Sequence, residues 1–513
     1  MIHFVIPAAG AATRLRPLSS NTSKIMVRVN GKPCLDYIVE SIKSICHNKK
    51  YELGEIVIVD GKFDDIREYC AVKHPNIKCV KQKSLNGPLD AIAQGFKVLP
   101  ESENDSVVVW LGDAIILEDD LPLGTDFLLT KEVTEQSAWC MWDGNDFYNK
   151  PAFKVEDASA LVGLYSFSSF NSAKYAFETT YMPENNIVEI SSALKVYSYK
   201  TETEYKNIKT NAWYDIGDLR TYYKTCAELL KLKSRAFNNI KYDNDLGIII
   251  KTPDYHDEHG IETIANEKSW YSSLSDTQKM FVPQIYNSEY SLSMSYVAGT
   301  LLSDMMLYDH LSDSTWEYII DKLLKIKLKY FNSPCEDIEF IKSFDACSHS
   351  MWISKTYERL FVAGLPEEIN EWLNELAIKV HLSTKPIDGL HGDMHFGNVL
   401  YNPYIDKMVL IDPRGKYGSY SGNHGCDIYD FAKLSHDLIH GYNALVSNVP
   451  HNETVQDIFI NCLKDNDLDV ELITDAGILL LATCIPLHYD DALRQERLRN
   501  KVIEYVTNKK YSV

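Results

Sequence analysis

Two stretches of the chain concentrate residues that could do phosphate chemistry. The first, LHGDMHFGNVLYN from Leu390 to Asn402, sets two histidines, an aspartate and an asparagine into an apolar segment. Asp393 and Asn398 have the D-x-x-x-x-N spacing of a kinase catalytic loop, with His391 two places before the aspartate. In such a loop the aspartate orients an acceptor hydroxyl and the asparagine reaches a magnesium ion. Asp412 ends the strand-like MVLID fourteen residues after Asn398, where a kinase places its second metal carboxylate. Lys251 closes the apolar run LGIIIK, and Glu267 lies on a following helical segment where it could pair with that lysine. A competing reading is a metal site, because His391, Asp393 and His395 alternate and could face one way on a strand.

The second stretch, PAAGAATRLRP from Pro7 to Pro17, follows the strand-like HFVIP directly. Its Ala8, Ala9 and Gly10 let the backbone wrap an anion where strand gives way to loop, although small residues after a strand are also ordinary turn chemistry. Arg14, Lys24 in SKIMVRVNGKP, Gly112-Asp113 after an apolar run, and WYDIGD from Trp213 to Asp218 follow in that order. With those residues in place, residues 1 to 230 resemble the sugar-nucleotidylyltransferase family. The resemblance implies that Arg14 and Lys24 hold a triphosphate and stabilise departing pyrophosphate, and that Asp113 and Asp215 bind Mg2+. It also implies that Gln82 and Gly87, in QKSLNGPLDAI, contact the base, a pattern compatible with a pyrimidine, so that CTP or UTP is the expected co-substrate. Glu189, in NNIVEIS, lies where sugar-using members direct a carboxylate at the sugar hydroxyls, with a solvated acid as the alternative. Ala12 and Ser23 depart from a frequent glycine and a frequent proline, which puts loop geometry rather than chemistry in question.

HGDMHFGNVL together with IDPRG resembles the aminoglycoside phosphotransferase and choline kinase family, over residues 234 to 513. The resemblance implies ATP and Mg2+ at this second site, with Lys251 and Glu267 at the phosphates and a hinge running from Met294 to Leu302 against the adenine. Arg414 departs from the glycine-type endings of many kinases. It could clamp the γ-phosphate or an anionic group on the acceptor, since guanidinium recognises both bidentately; a salt bridge to Asp427 or Asp430 is the alternative. A protein kinase is disfavoured, because KYGSYSGNHG after IDPRG offers no substrate-docking segment.

Elements must position these residues, and the chain supplies two kinds. Up to about residue 230, β-rich runs (HFVIP, EIVIVD, IKCV, SVVVWLGD) alternate with helix-like segments such as CLDYIVESIKSI and PLDAIAQGFKVL, the rhythm of βαβ units. Beyond a break near Lys233 to Asn238, a β-like patch gives way to long helices that begin with Ser-Asp or Pro-Glu-Glu start signals. The expected fold is α/β: residues 1–232 a nucleotidylyltransferase domain with a doubly wound, mostly parallel, Rossmann-like sheet, and residues 233–513 a two-lobed protein-kinase-like α+β domain.

The bulk properties agree with two folded domains: 513 residues exceed one ordinary core, and 45% hydrophobic with 24% charged residues is a globular composition. A formal charge of −20 argues against a nucleic-acid partner. Eleven cysteines without a CxxC pair read as reduced cytoplasmic thiols. The apolar run from Ala476 to Pro486 is shorter than a membrane span, so membrane insertion is not expected; the oligomeric state, including a homo-oligomer, is left open.

Pairing the two sites predicts a two-step enzyme. The second domain would phosphorylate a small alcohol or sugar with ATP, and the first would couple the product to CTP or UTP, giving an activated donor for a surface polysaccharide. Choline- or ethanolamine-type alcohols, polyols and sugars all remain open as acceptors, as does a sugar kinase joined to a sugar-1-phosphate uridylyl- or thymidylyltransferase. Trp139 and Trp142 could face a quaternary amine or simply pack. One domain could instead be a regulatory binding module for the other.

Overall fold

A computed structural model describes residues 1–16, 18–82, 86–100, 102, 104–180, 189–230, 238–243, 245–286, 291–308, 311–403 and 405–511. The chain divides into two compact units, Met1–Leu229 and Leu230–Val513. The expected boundary at residue 232 falls outside the described residues, as do most of the Lys233 to Asn238 break, Lys83 to Leu85 of the base-contact segment, and Ile187 and Val188 before Glu189.

In the first unit, strand Ile2–Pro7 pairs in parallel with Leu53–Asp60 on one side and Ser106–Trp110 on the other, and Leu53–Asp60 pairs in parallel with Lys78–Lys81. Such strands need both faces covered, which accounts for their near-continuous apolar sequence. Phe4, Ile6, Ile56 and Ile58 pack on one face with Leu35, Ile38 and Ile42 of helix Cys34–Lys49. Val5, Val57 and Val59 pack on the other with Leu89, Ile92 and Phe96 of helix Pro88–Val98. That helix opens with the proline favoured at a first helical position. At Gly95 it approaches the sheet so closely that a Cβ would lie 2.5 Å from Val5 Cγ1.

The sheet is mixed rather than mostly parallel. Ser159–Phe167, buried along its whole length, runs antiparallel to Ser106–Trp110, Phe127–Lys131 and Cys140–Trp142. This half lacks the alternating helices that parallel strands require as crossovers, so its strands return antiparallel. Strand Ile2–Pro7 therefore stands where neighbours depart in opposite directions, and the crevice at the carboxyl ends of such strands is where open α/β sheets bind ligands.

The second unit begins with an antiparallel sheet in the order Asn238–Asp243, Ile248–Pro253, Leu292–Ser295, Ile285–Tyr286. Helix Glu258–Ser273 packs against Ile248–Pro253. The chain then passes through residues 296–299 to Thr300–Leu301, which pairs with Val399–Asn402, itself paired with Lys407–Leu410. The remainder is mainly helical. Helix Asp313–Tyr330 is capped by Ser312, whose hydroxyl accepts from Thr315 N–H at 3.3 Å.

The apolar run near Ala476 belongs to a longer helix, Val470–Cys484, because Asp469 caps it by accepting from Leu472 N–H at 3.0 Å and so adds a polar first turn. With the 3-10 turn that follows, Val470–His488 is the one helix among the described residues long and apolar enough to cross a membrane, and 67% of its apolar window is buried in the protein. It packs against helix Tyr429–Leu438.

Candidate functional site

A cavity of about 960 Å³ opens at the carboxyl end of strand Ile2–Pro7. It is lined by Ala8, Ala9, Gly10, Arg14 and Lys24 from the first loop and its continuation, and by Gln82, Gly87, Asp113, Glu189 and Asp215 from elsewhere in the unit. The expected phosphate, metal, base and sugar contacts of the first unit therefore border one space. A Cβ on Gly10 would meet nothing within 4 Å, so that glycine leaves the wall open rather than relieving a clash.

The two departures in the loop keep the geometry of the residues they replace. Ala12 stands at φ 49°, in the left-handed region that favours glycine; Ser19 Oγ donates to its carbonyl at 2.8 Å. Ser23 stands at φ −65°, the angle a proline would impose. Asp65 holds it there, accepting from Ser23 N–H and Oγ at 2.6 Å and from Thr22 Oγ1 at 2.7 Å.

Register brings the two carboxylates together. Trp213–Asp215 pairs antiparallel with Ala114–Ile116 so that Asp215 opposes Ala114, and Ile216 N–H donates to the Asp113 carbonyl at 3.1 Å. Lys24 Nζ lies 2.5 Å from Asp113 Oδ2, whereas Arg14 is exposed and makes no ion pair among the described residues. Burial, then the Asp113 charge, push Asp215 up to about 6. Paired oxygen donors that resist joint ionisation are a donor set a divalent cation fits.

A stability signature follows. Asp215 binds its proton more tightly folded than unfolded, so its ionisation costs stability as pH rises from 3.8 through about 6. Asp215→Asn is expected to raise the first unit's stability in EDTA at pH 8 and to lose that advantage near pH 4. Denaturant titrations of the full chain across that range measure it; equal pH slopes for both proteins would refute the assignment.

Gln82 is buried, and its amide nitrogen donates to Asp90 at 2.6 Å and to the Gly87 carbonyl at 3.3 Å. Gly87, at φ 90°, precedes helix Pro88–Val98. Glu189 is exposed at the start of helix Ile190–Thr201. Trp139 borders the cavity and meets Trp213 edge-on with ring centroids 4.8 Å apart. Trp142 is buried and stacks on Phe147 instead. Lys131, which motif reading passed over, also lines the cavity and donates to the Trp213 carbonyl at 3.3 Å.

In the second unit, Lys251 Nζ binds Glu267 at 2.8 and 2.9 Å and Asp412 Oδ1 at 2.8 Å. Burial disfavours its charge, but Asp412 and then Glu267 outweigh this and hold Lys251 above the ordinary lysine range. Met294 lies buried in strand Leu292–Ser295, opposite Ile249 and Ile285, just before the connection to Thr300.

The loop after Leu390 is set by two buried aspartates. Asp430 accepts from His391 N–H at 2.9 Å and Gly392 N–H at 2.8 Å, and pairs with Lys327 at 2.7 Å. Asp437 accepts from Phe396 N–H at 3.0 Å and from the Asn443 amide at 2.7 Å. His391 is fully buried, its Nε2 3.0 Å from the Ile411 carbonyl, and burial lowers its pKa. It thereby links the loop to the strand that presents Asp412.

Asp393 receives the Asn398 amide at 3.1 Å and lies 2.8 Å from Lys433 Nζ. Burial alone would raise its pKa; Lys433 and then His395 reverse that and hold the carboxyl well below the usual range. Arg414 pairs with neither Asp427 nor Asp430: its Nη1 donates to Tyr429 Oη at 3.1 Å, while Asp427 accepts from Lys385 N–H. His391, Asp393 and His395 do not gather as metal ligands. The group of described residues able to do so is Cys335, Asp388 and His424, with ligand atoms within 4.8 Å of one another and His424 Nδ1 2.6 Å from Asp388.

Gly415 fixes how Asp412 meets the helix that carries Glu267. At φ 69° it passes so close that a Cβ would lie 2.0 Å from Asn266 O and 2.8 Å from Glu267 N. Gly415→Ala is expected to destabilise the second unit by at least about 3 kcal/mol, from overpacking and backbone strain together. Thermal denaturation tests this, and an unchanged melting temperature would contradict it.

Residues 4–140 match the family model described as the MobA-like NTP transferase domain. The chain is 29% identical over 222 residues to the "Bifunctional protein GlmU" of Methanocaldococcus jannaschii, covering 42% of this chain and 50% of that one. It is 37% identical over 73 residues to a choline-phosphate cytidylyltransferase of Streptococcus pneumoniae, 14% of this chain and 29% of that one. It is 22% identical over 244 residues to the CTP:phosphoglutamine cytidylyltransferase of Campylobacter jejuni, 47% and 81% of the two. The chain spans about half the length of the GlmU relatives from the two methanogens.

Proposed function

We propose that the chain is a two-step enzyme in which the second unit phosphorylates a small hydroxyl compound with ATP and the first couples the product to a pyrimidine nucleotide. One observation carries the reading: each unit gathers a lysine against paired oxygen donors, Lys24 with Asp113 and Asp215, and Lys251 with Glu267 and Asp412. Two of the similar proteins bear names of cytidylyltransferases, which favours CTP over UTP.

In the kinase step the acceptor oxygen bonds to the γ-phosphorus, the bond to the β-bridging oxygen breaks, and ADP leaves. Asp393 accepts the hydroxyl hydrogen bond and orients it; with its carboxyl held so acidic, orientation rather than strong basicity is its contribution. Lys251 steadies the phosphates, and the acceptor proton passes to solvent. In the second step a phosphate oxygen of the product attacks the α-phosphorus of CTP and pyrophosphate leaves. Arg14 and Lys24 receive that leaving charge. Asp113 and Asp215 in the first unit, and Asn398 and Asp412 in the second, would hold Mg2+, whose bound form would supply Lewis-acid neutralisation of the reacting phosphates.

The test incubates the full chain with Mg2+, ATP and each of the four NTPs against a panel of alcohols, polyols, hydroxy acids and sugars. Mass spectrometry of the products should find a nucleotide adduct dependent on both ATP and a second NTP. Neither ADP formation nor pyrophosphate release with any combination would end the proposal.

A further inference from the structure

Lys433, which binds Asp393, stands in a cluster of positive charge with Lys355, Arg359 and Arg414. Helix Lys355–Ala363 carries Lys355 and Arg359 four residues apart, hence on one face. It is entered through a π-helical turn, Ser350–Ser354, an irregularity that recurs at functional sites. That turn buries Trp352 against the ring of Tyr429, with centroids 5.2 Å apart. Tyr429 accepts from Arg414, and one helical turn after it Lys433 reaches Asp393. Arg359 is fixed by a 3.2 Å bond from Nη1 to the Thr483 carbonyl. Contacts thus link the π-turn, the two helices and the loop into one wall.

Lys433 has Asp393 as its partner, whereas Lys355, Arg359 and Arg414 make no ion pair among the described residues. Lys355 has neither an ion pair nor a hydrogen bond among the described residues, and it is only partly exposed. Burial, followed by the charges of Arg414, Arg359 and Lys433, drives its pKa well below the ordinary lysine range. Asp393 is already bound to Lys433, and Glu358, beside Arg359, is exposed. Like charges held together in a partly desolvated wall are costly unless a ligand neutralises them. A quaternary ammonium would meet repulsion there, and a neutral polyol would leave the cost in place.

We propose that the acceptor phosphorylated by the second unit is an anion, a small hydroxyl compound bearing a carboxylate or phosphate, held by Lys355, Arg359 and Arg414 with its hydroxyl at Asp393. This rests on the kinase reading of that unit. It assigns Lys355 and Arg359, to which no motif points, as specificity-determining residues.

The experiment uses the full chain with Mg2+ and ATP on matched acceptors of one skeleton: glycerate, glycerol 3-phosphate, glycerol, and choline as the cationic arm. ADP formation is expected with an acid and not with its neutral or cationic counterpart, and the better acid tells carboxylate from phosphate. Lys355→Gln should raise the KM for that acid about 10–100-fold, as expected for loss of one charge-assisted bond, with the KM for ATP unchanged; Lys355→Arg should restore it. Preference for glycerol or choline, or an acid KM indifferent to Lys355→Gln, overturns the inference and leaves the kinase standing. If no acceptor yields ADP, calorimetric titration with the two acids decides alone. Binding that Lys355→Gln weakens upholds the anion pocket while the kinase reading fails; no binding of either acid overturns the pocket.

Discussion

Asp393→Asn is expected to lower ATP-dependent phosphorylation by about 10²-fold or more, the scale for a misoriented reacting group, while nucleotidyl transfer to a supplied phosphorylated substrate continues. The substitution keeps the shape of the side chain and removes its charge. In the proposed kinase step Asp393 orients the hydroxyl, and its carboxylate is the partner of the half-buried Lys433 and the acceptor of the Asn398 amide. The variant therefore exchanges one accepting carboxylate oxygen for an amide NH2 and leaves Lys433 without its counter-charge in one step. ADP release measured alongside pyrophosphate release separates the two activities. If both fall together, the two-site model is wrong.

Asp113→Asn should do the reverse, reducing nucleotidyl transfer by about 10³-fold, equivalent to several kcal/mol of charge stabilisation, and sparing ADP formation. Asp113 faces both Lys24 and Asp215. Without its charge, Lys24 is freed from its 2.5 Å partner and the oxygen pair is halved. Raising the Mg2+ concentration should recover part of the loss, since one carboxylate remains. Transfer at the original rate in this variant would remove Asp113 from the site.

Some features of the sites were readable because they are local. The D-x-x-x-x-N spacing of Asp393 and Asn398 lies within one loop, and their 3.1 Å contact is a short-range consequence of it. The small residues after HFVIP follow the first strand directly, and the left-handed Ala12 sits where a glycine is frequent in related loops. Lys251 and Glu267 are sixteen residues apart across one strand–helix connection, and they meet as their order suggests.

Other features were not readable because their partners lie far along the chain. His395 is only two residues from Asp393 in sequence, yet the first cation holding Asp393 acidic is Lys433, from a helix forty residues on. Arg414 had two aspartates in sequence reach and donates to Tyr429 instead, because Asp430 is consumed by Lys327 and the loop backbone. Cys335, Asp388 and His424 come together only through strand pairing of Ser333–Pro334, Pro386–Asp388 and His424–Cys426. The antiparallel half of the first sheet was likewise hidden, since a buried strand such as Ser159–Phe167 is equally apolar in either direction.

By itself, then, the sequence determined residue types, loop chemistry and the alternation of strands and helices, because these depend on periodicity and on backbone preferences a few residues long. Tertiary structure decided which charges face which: Asp113 against Asp215, Lys433 against Asp393, and Lys355 beside Arg359, Arg414 and Lys433. Those pairings are fixed by register and burial across many residues, where a charge's energy depends on the whole surrounding wall and not on its neighbours in the chain.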